Sequence, residues 1–139
     1  MKIQLKRKTD PFHFEISNAE GHMTETDGSV DIGGQNLGMR PMELFLASLA
    51  SCSSIDVVYI LRKQRQKVED IRVDVRGERI KGSIPAVFTD IHLHFVLTGV
   101  LKPEKVEFAI DRSVTTYCSV SKMIDKVVNI TTSYEIIPT

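Results

Sequence analysis

A chain of 139 residues, 42% hydrophobic and 26% charged, is long enough to bury one core without disulfide or metal staples, and its balance excludes disordered and fibrous classes. Lys plus Arg and Asp plus Glu number 18 each, so the formal charge is zero and no global field draws the chain to nucleic acid or to an anionic membrane.

Residues 1 to 8 alternate charged and apolar side chains as a half-exposed strand and lack the unbroken apolar core of a signal peptide. Asp10-Pro11 makes a turn, and Phe12, Phe14 and Ile16 resume the period of two on one face, a hairpin signature. After a second turn from Ser17 to Gly21, residues 22 to 26 fit a third short strand. Asp27-Gly28, Gly33-Gly34 and Gly38 then punctuate a polar stretch, 27–40, that reads as a mobile loop or lid. Its glycines match neither GxGxxG nor a P-loop, and too little chain precedes it for a second core. Pro41 suits the first position of a helix predicted over 41–67, because its missing N–H has no partner there anyway. From Leu44 to Leu61 apolar residues fall on every side, which requires enclosure by other elements. The basic end of this helix, Arg62 to Lys67, complements the dipole and needs no ligand to justify it.

Residues 68–139 read as a mixed half. Val68 to Val75 and Val87 to Leu97, separated by Gly82-Ser83-Ile84-Pro85, predict an antiparallel hairpin. Lys102-Pro103-Glu104 opens a helix running to about Thr116, Ser119 to Lys126 fits a short helix capped by a serine, and Val128 to Ile137 closes the fold as a strand. Strands first, then a buried helix, then this mixed half make a single α+β domain over 1–139. Two small sheets cover the central helix poorly, so a homodimer is predicted. No segment is expected to reach the length of a membrane span, and a reducing cytoplasm is the expected location.

In that compartment Cys52 and Cys118 would not form a standing structural disulfide, and they lie too far apart in sequence for a CxxC motif. Taken alone, Cys52 in its apolar helix is as readily a plain core thiol as a redox group. Asp56 falls four residues later on the same helical face, where Ser or Tyr hydroxyls such as those of Tyr59 or Tyr117 would satisfy it; ionised, it would disfavour a Cys52 thiolate. His92 and His94 share one strand face but have no evident third and fourth ligands, so they read as solvent-facing and no metal site is expected.

The stretch from Pro41 to Cys52, with its proline, its leucine/alanine run and its cysteine, resembles the helical motif of the OsmC/Ohr family, the osmotically inducible and organic hydroperoxide resistance proteins. Further along, Ile55-Asp56-Val57-Val58, Phe88 to Phe95, Thr116-Tyr117-Cys118-Ser119-Val120-Ser121 and Asn129 to Glu135 are similar to its YhfA-like branch. The resemblance implies an OsmC-like fold: an N-terminal antiparallel sheet and a C-terminal half around a long central helix, intertwined as a homodimer with active sites at the interface. It also implies thiol-dependent reduction of small organic hydroperoxides. Cys52 would be the peroxidatic thiol, Cys118 the resolving one, and an external dithiol the reductant, with no resident cofactor.

Activating Cys52 takes a positive charge, because burial raises a thiol's pKa and the residue lies far from the positive end of its helix. The family's peroxidases use an arginine from the N-terminal sheet, held by a glutamate ten positions before the cysteine. Here that position is Met42, and Ser17 to Met23 holds no arginine. Glu43 comes one residue late, a turn of about 100° around the helix; Glu43 and Arg40, the latter from the partner chain, are the candidate substitutes. Two other readings fit the same residues. One is a hot-dog-like acyl thioesterase using Glu43 or Asp56 to activate water; the other is a non-catalytic binder of a small apolar ligand.

Overall fold

The computed structural model describes residues 1–139, which group into two units, Met1–Phe45 and Leu46–Thr139. In the first, β1 (Ile3–Thr9), β2 (His13–Asn18) and β3 (Met23–Thr26) pair antiparallel in chain order, as the alternation and turns predict. Asn18 closes the β2–β3 connection: its Oδ1 accepts the backbone N–H groups of Glu20 and His22 at 3.1 and 2.9 Å. The face expected to be apolar is only half-buried at Phe12, Phe14 and Ile16. The enclosed side chain is His13 instead, its ring nitrogens 3.1 Å from Thr9 Oγ1 and 3.2 Å from Glu25 Oε2.

The glycine-rich stretch is more ordered than a free lid. Asp27 sits buried at its root and accepts the N–H groups of Gly28, Gln35 and Leu37 at 2.7, 3.1 and 3.1 Å. Burial alone would raise its pKa, but the three donors outweigh that and hold the carboxyl below its ordinary value. The loop closes tightly: a Cβ on Gly34 would stand 1.9 Å from the carbonyl oxygen of Gly28. Gly34→Ala therefore has to break this turn, and a loss of about 1–3 kcal/mol in urea unfolding is expected.

The long helix α1 (Pro41–Lys63) begins in the first unit and continues into the second. At 23 residues it is long and apolar enough to cross a membrane, contrary to the expectation that no segment reaches that length; the core helix of a soluble protein passes the same test. It is also not enclosed on every side within one chain. Leu49, Ser53, Val57 and Leu61 form one buried stripe, whereas Ile55 and Tyr59 are 69% and 56% exposed. The helix stops short of residue 67 because Arg65 turns left-handed (φ 59°), letting the Gln66 N–H reach back to the Leu61 carbonyl at 2.9 Å. Glycine adopts that conformation without the Cβ penalty, so Arg65→Gly should raise stability by about 1 kcal/mol, read as a higher urea midpoint at unchanged slope.

The second sheet has β5 (Phe88–Thr98) at its centre, with β4 (Asp70–Arg79) antiparallel on one side and β6 (Asn129–Ile137) parallel on the other. A parallel neighbour demands a crossover, and the chain between β5 and β6 supplies it as α2 (Pro103–Arg112), a π-turn (Ser113–Tyr117) and α3 (Ser119–Ile124). Ile91, Leu93, Phe95 and Leu97 line the buried face of β5 at 1% exposure or less. Gly77 on β4 lets α1 approach: a Cβ there would lie 2.5 Å from Phe88 and 3.1 Å from Leu46. On α2, Val106, Ala109 and Ile110 are buried.

Candidate active site

Two segments of the second unit build the site. From α1 come Cys52, Ser53 and Asp56; the end of the crossover supplies Ser113 and Cys118. The sulfurs of Cys52 and Cys118 and a carboxylate oxygen of Asp56 all lie within 4.8 Å of one another. Cys52 and Asp56 meet because four residues is about one helical turn. Cys118 arrives because the π-turn underwinds the chain after α2: its own N–H bonds to the Ser113 carbonyl at 2.8 Å, a single wide turn of a kind common at functional sites.

The two thiols differ in surroundings. Cys52 is partly exposed, while Cys118 is fully buried. Cys118 Sγ accepts the backbone N–H of Ser121 at 3.3 Å and the hydroxyl of Ser53 at 3.6 Å. It thereby caps α3 itself, in the place where a serine cap was expected. Burial pushes the Cys118 thiol above its ordinary pKa; the Ser121 N–H opposes this, nearby Cys52 adds to it, and the Ser53 hydroxyl does not reverse it.

Asp56 finds a serine rather than a tyrosine. Ser113 Oγ lies 3.3 Å from Asp56 Oδ2 and 3.2 Å from the Ser53 carbonyl oxygen, so one buried hydroxyl ties α1 to the π-turn. Neither Ser53 nor Ser113 was singled out from the sequence, although a serine on the buried stripe of an apolar helix, as Ser53 is, signals a polar partner in the core. Asp56 also lines a cleft of about 480 Å³ shared with Tyr59, Ile60, Lys63, Phe108 and Tyr117. The cation of this cleft is Lys63, its ammonium 4.6 Å from the centre of the Tyr59 ring.

The other sequence candidates have local partners. Glu43, third residue of α1, reaches back to accept the Arg40 N–H at 2.9 Å, half of a capping box. Arg40 directs its guanidinium to the Gly38 carbonyl at 2.9 Å and to Asn36 Oδ1 at 3.1 Å. His92 and His94 lie on the outer face of β5, bonded to the hydroxyls of Thr131 and Ser133 at 2.7–2.8 Å.

The family model for OsmC-like protein matches residues 33–133, which includes both cysteines, Asp56 and both serines. This chain belongs to the OsmC-like family. Protein YhfA of Escherichia coli K12 is 44% identical over 121 residues, 86% of this chain and 87% of that protein. Among solved structures, a hypothetical protein from Aquifex aeolicus superimposes with a TM-score of 0.86 at 30% identity, covering 99% of this chain and 96% of its own. An organic hydroperoxide resistance protein OsmC from Legionella pneumophila shares the fold with a TM-score of 0.72 at 18% identity, covering 97% of each chain. The expectation of an α+β, OsmC-like fold is met.

Proposed function

We propose that this OsmC-like protein is a thiol peroxidase that reduces organic hydroperoxides in oxidative-stress defence. The observation that carries the reading is one partly exposed thiol and one buried thiol within 4.8 Å. The accessible Cys52 sulfur attacks the distal peroxide oxygen; the O–O bond breaks, the alcohol leaves with the thiol proton, and Cys52 becomes a sulfenic acid. Cys118 then attacks the Cys52 sulfur, water leaves, and a disulfide forms. An external dithiol returns both sulfurs to thiols by exchange. The apolar walls of the adjoining cleft, Ile60 and Phe108, favour an alkyl or aryl peroxide over hydrogen peroxide.

The working form in this proposal is a homodimer in the reducing cytoplasm. Its support is apolar surface left open in one chain: every residue of β1 is exposed, Ile3 and Leu5 among them, as are Ile55 and Tyr59 on α1. Sedimentation at micromolar concentration is expected to return twice the monomer mass. For the chemistry, the reduced protein is mixed with cumene hydroperoxide and, separately, with hydrogen peroxide in stopped flow, and thiols are counted by mass spectrometry. Faster reaction with the organic peroxide, loss of two thiols and a Cys52–Cys118 linked peptide are expected. Equal rates, or no linked peptide, overturn the proposal.

A further inference from the structure

We propose that the reduced chain holds a thiophilic divalent cation, Zn²⁺ by its chemistry, between Cys52 Sγ, Cys118 Sγ and a carboxylate oxygen of Asp56. This site lies beyond the peroxidase reading and does not depend on it. The three donor atoms already lie within 4.8 Å of one another. Around a tetrahedral Zn²⁺, with bonds of about 2.3 Å to sulfur and about 2.0 Å to oxygen, such donors stand about 3.5–3.8 Å apart. A contraction of at most about 1.3 Å closes the triad, within the reach of side-chain torsions. Cys52 and Asp56 form a two-point chelate on one helix face, and Cys118 completes it from the π-turn.

Donor chemistry selects the ion. Two thiolates with one carboxylate suit a borderline-soft metal and exclude Ca²⁺ and Mg²⁺, which take all-oxygen shells. Outer contacts are in place as well: Ser113 Oγ lies 3.3 Å from Asp56 Oδ2, and Ser53 Oγ and the Ser121 N–H reach Cys118 Sγ at 3.6 and 3.3 Å. Asp56 opens onto the 480 Å³ cleft, which gives the ion an entry path. Three protein ligands leave the fourth position for water or a small ligand, the open arrangement of reactive zinc sites. Within Leu46–Thr139 no basic side chain hydrogen-bonds either sulfur, so the cation supplies the charge that makes the paired thiolates tolerable. The metal takes the place of the two thiol protons, and binding must release them.

The test titrates the reduced protein anaerobically with Co²⁺, a spectroscopic stand-in, and then with Zn²⁺. Expected are a thiolate-to-cobalt charge-transfer band saturating at one ion per chain, its displacement by Zn²⁺, and a Tm raised by several degrees with Zn²⁺. Cys118→Ser should halve the band, and Asp56→Asn, which keeps the side chain's shape and its place beside Ser113, should weaken Co²⁺ binding at least tenfold. Circular dichroism confirms that each variant is folded. Prior oxidation with diamide, which joins the sulfurs, should abolish binding. No charge-transfer band, or a band indifferent to both substitutions, overturns the site. A protein that consumes cumene hydroperoxide but binds no Co²⁺ refutes this inference alone; one that binds Co²⁺ and ignores the hydroperoxide refutes the peroxidase reading alone.

Discussion

Cys52→Ser is expected to abolish hydroperoxide consumption, a fall on the order of 10³-fold or more, because a serine hydroxyl with no partner base cannot attack the O–O bond. Cys118→Ser should behave differently. The first step survives, one equivalent of peroxide is consumed, and a sulfenic acid accumulates at Cys52, where dimedone traps it as a single adduct by mass. The asymmetry follows from exposure: Cys52 is open to solvent in part, and Cys118 is not. Equal retention of turnover in the two variants would refute the assignment of roles. The second step carries a pH signature. Burial holds Cys118 above its ordinary thiol pKa, so at neutral pH it is protonated and disulfide closure should speed up as pH rises. The same shift bears on stability. The native state prefers the neutral thiol, so that contribution is complete below the unfolded thiol pKa of about 8.5 and is lost as pH rises through the higher native value.

Local sequence signals were strong enough to place the elements. Alternation over residues 1–8, the apolar stretch from Val87 to Leu97, Pro41 at a helix start and the Gly82–Pro85 turn each correspond to an observed boundary or pairing, because backbone sterics and apolar periodicity act within a few residues. What one strand does to another is not local, and the parallel seating of β6 on β5 carried no signature in either strand. The same limit explains the site. Cys52 and Asp56 are readable as neighbours because one helical turn joins them; that a serine or tyrosine hydroxyl satisfies Asp56 is also readable, but which one is not, because Ser113 is delivered by a π-turn that no pattern announces. Glu43, a candidate substitute for the family's glutamate, accepts the Arg40 N–H, a helix-capping contact that its third position in α1 already permits. The loop 27–40 read as a lid because glycines suggest freedom. One buried carboxylate, Asp27, organises it through bonds to residues up to ten positions away, which composition does not reveal.

The largest stability effect is expected in the centre of the second sheet. Phe95 has no solvent exposure and stands on β5 opposite Val73 of β4 and Tyr134 of β6, so all three strands meet at its ring. Phe95→Ala removes the ring and leaves a cavity that neighbours on three fixed strands cannot collapse to fill, at a cost of about 3–5 kcal/mol. Against a typical total of about 5–15 kcal/mol, that brings the protein close to unfolding at 37 °C. His94→Ala, one residue away on the outer face, gives up hydrogen bonding to an accessible hydroxyl and should change stability by about 0.5 kcal/mol or less. Urea unfolding of both variants tests the pair, and a Phe95→Ala cost below about 1 kcal/mol would refute this account of the core. The consequence reaches the chemistry, because the crossover from β5 to β6 is what carries Cys118 to Cys52. A loosened sheet lets Ser113 and the π-turn drift from α1, so Phe95→Ala should also lower the yield of the Cys52–Cys118 disulfide per peroxide consumed, while His94→Ala leaves that yield unchanged.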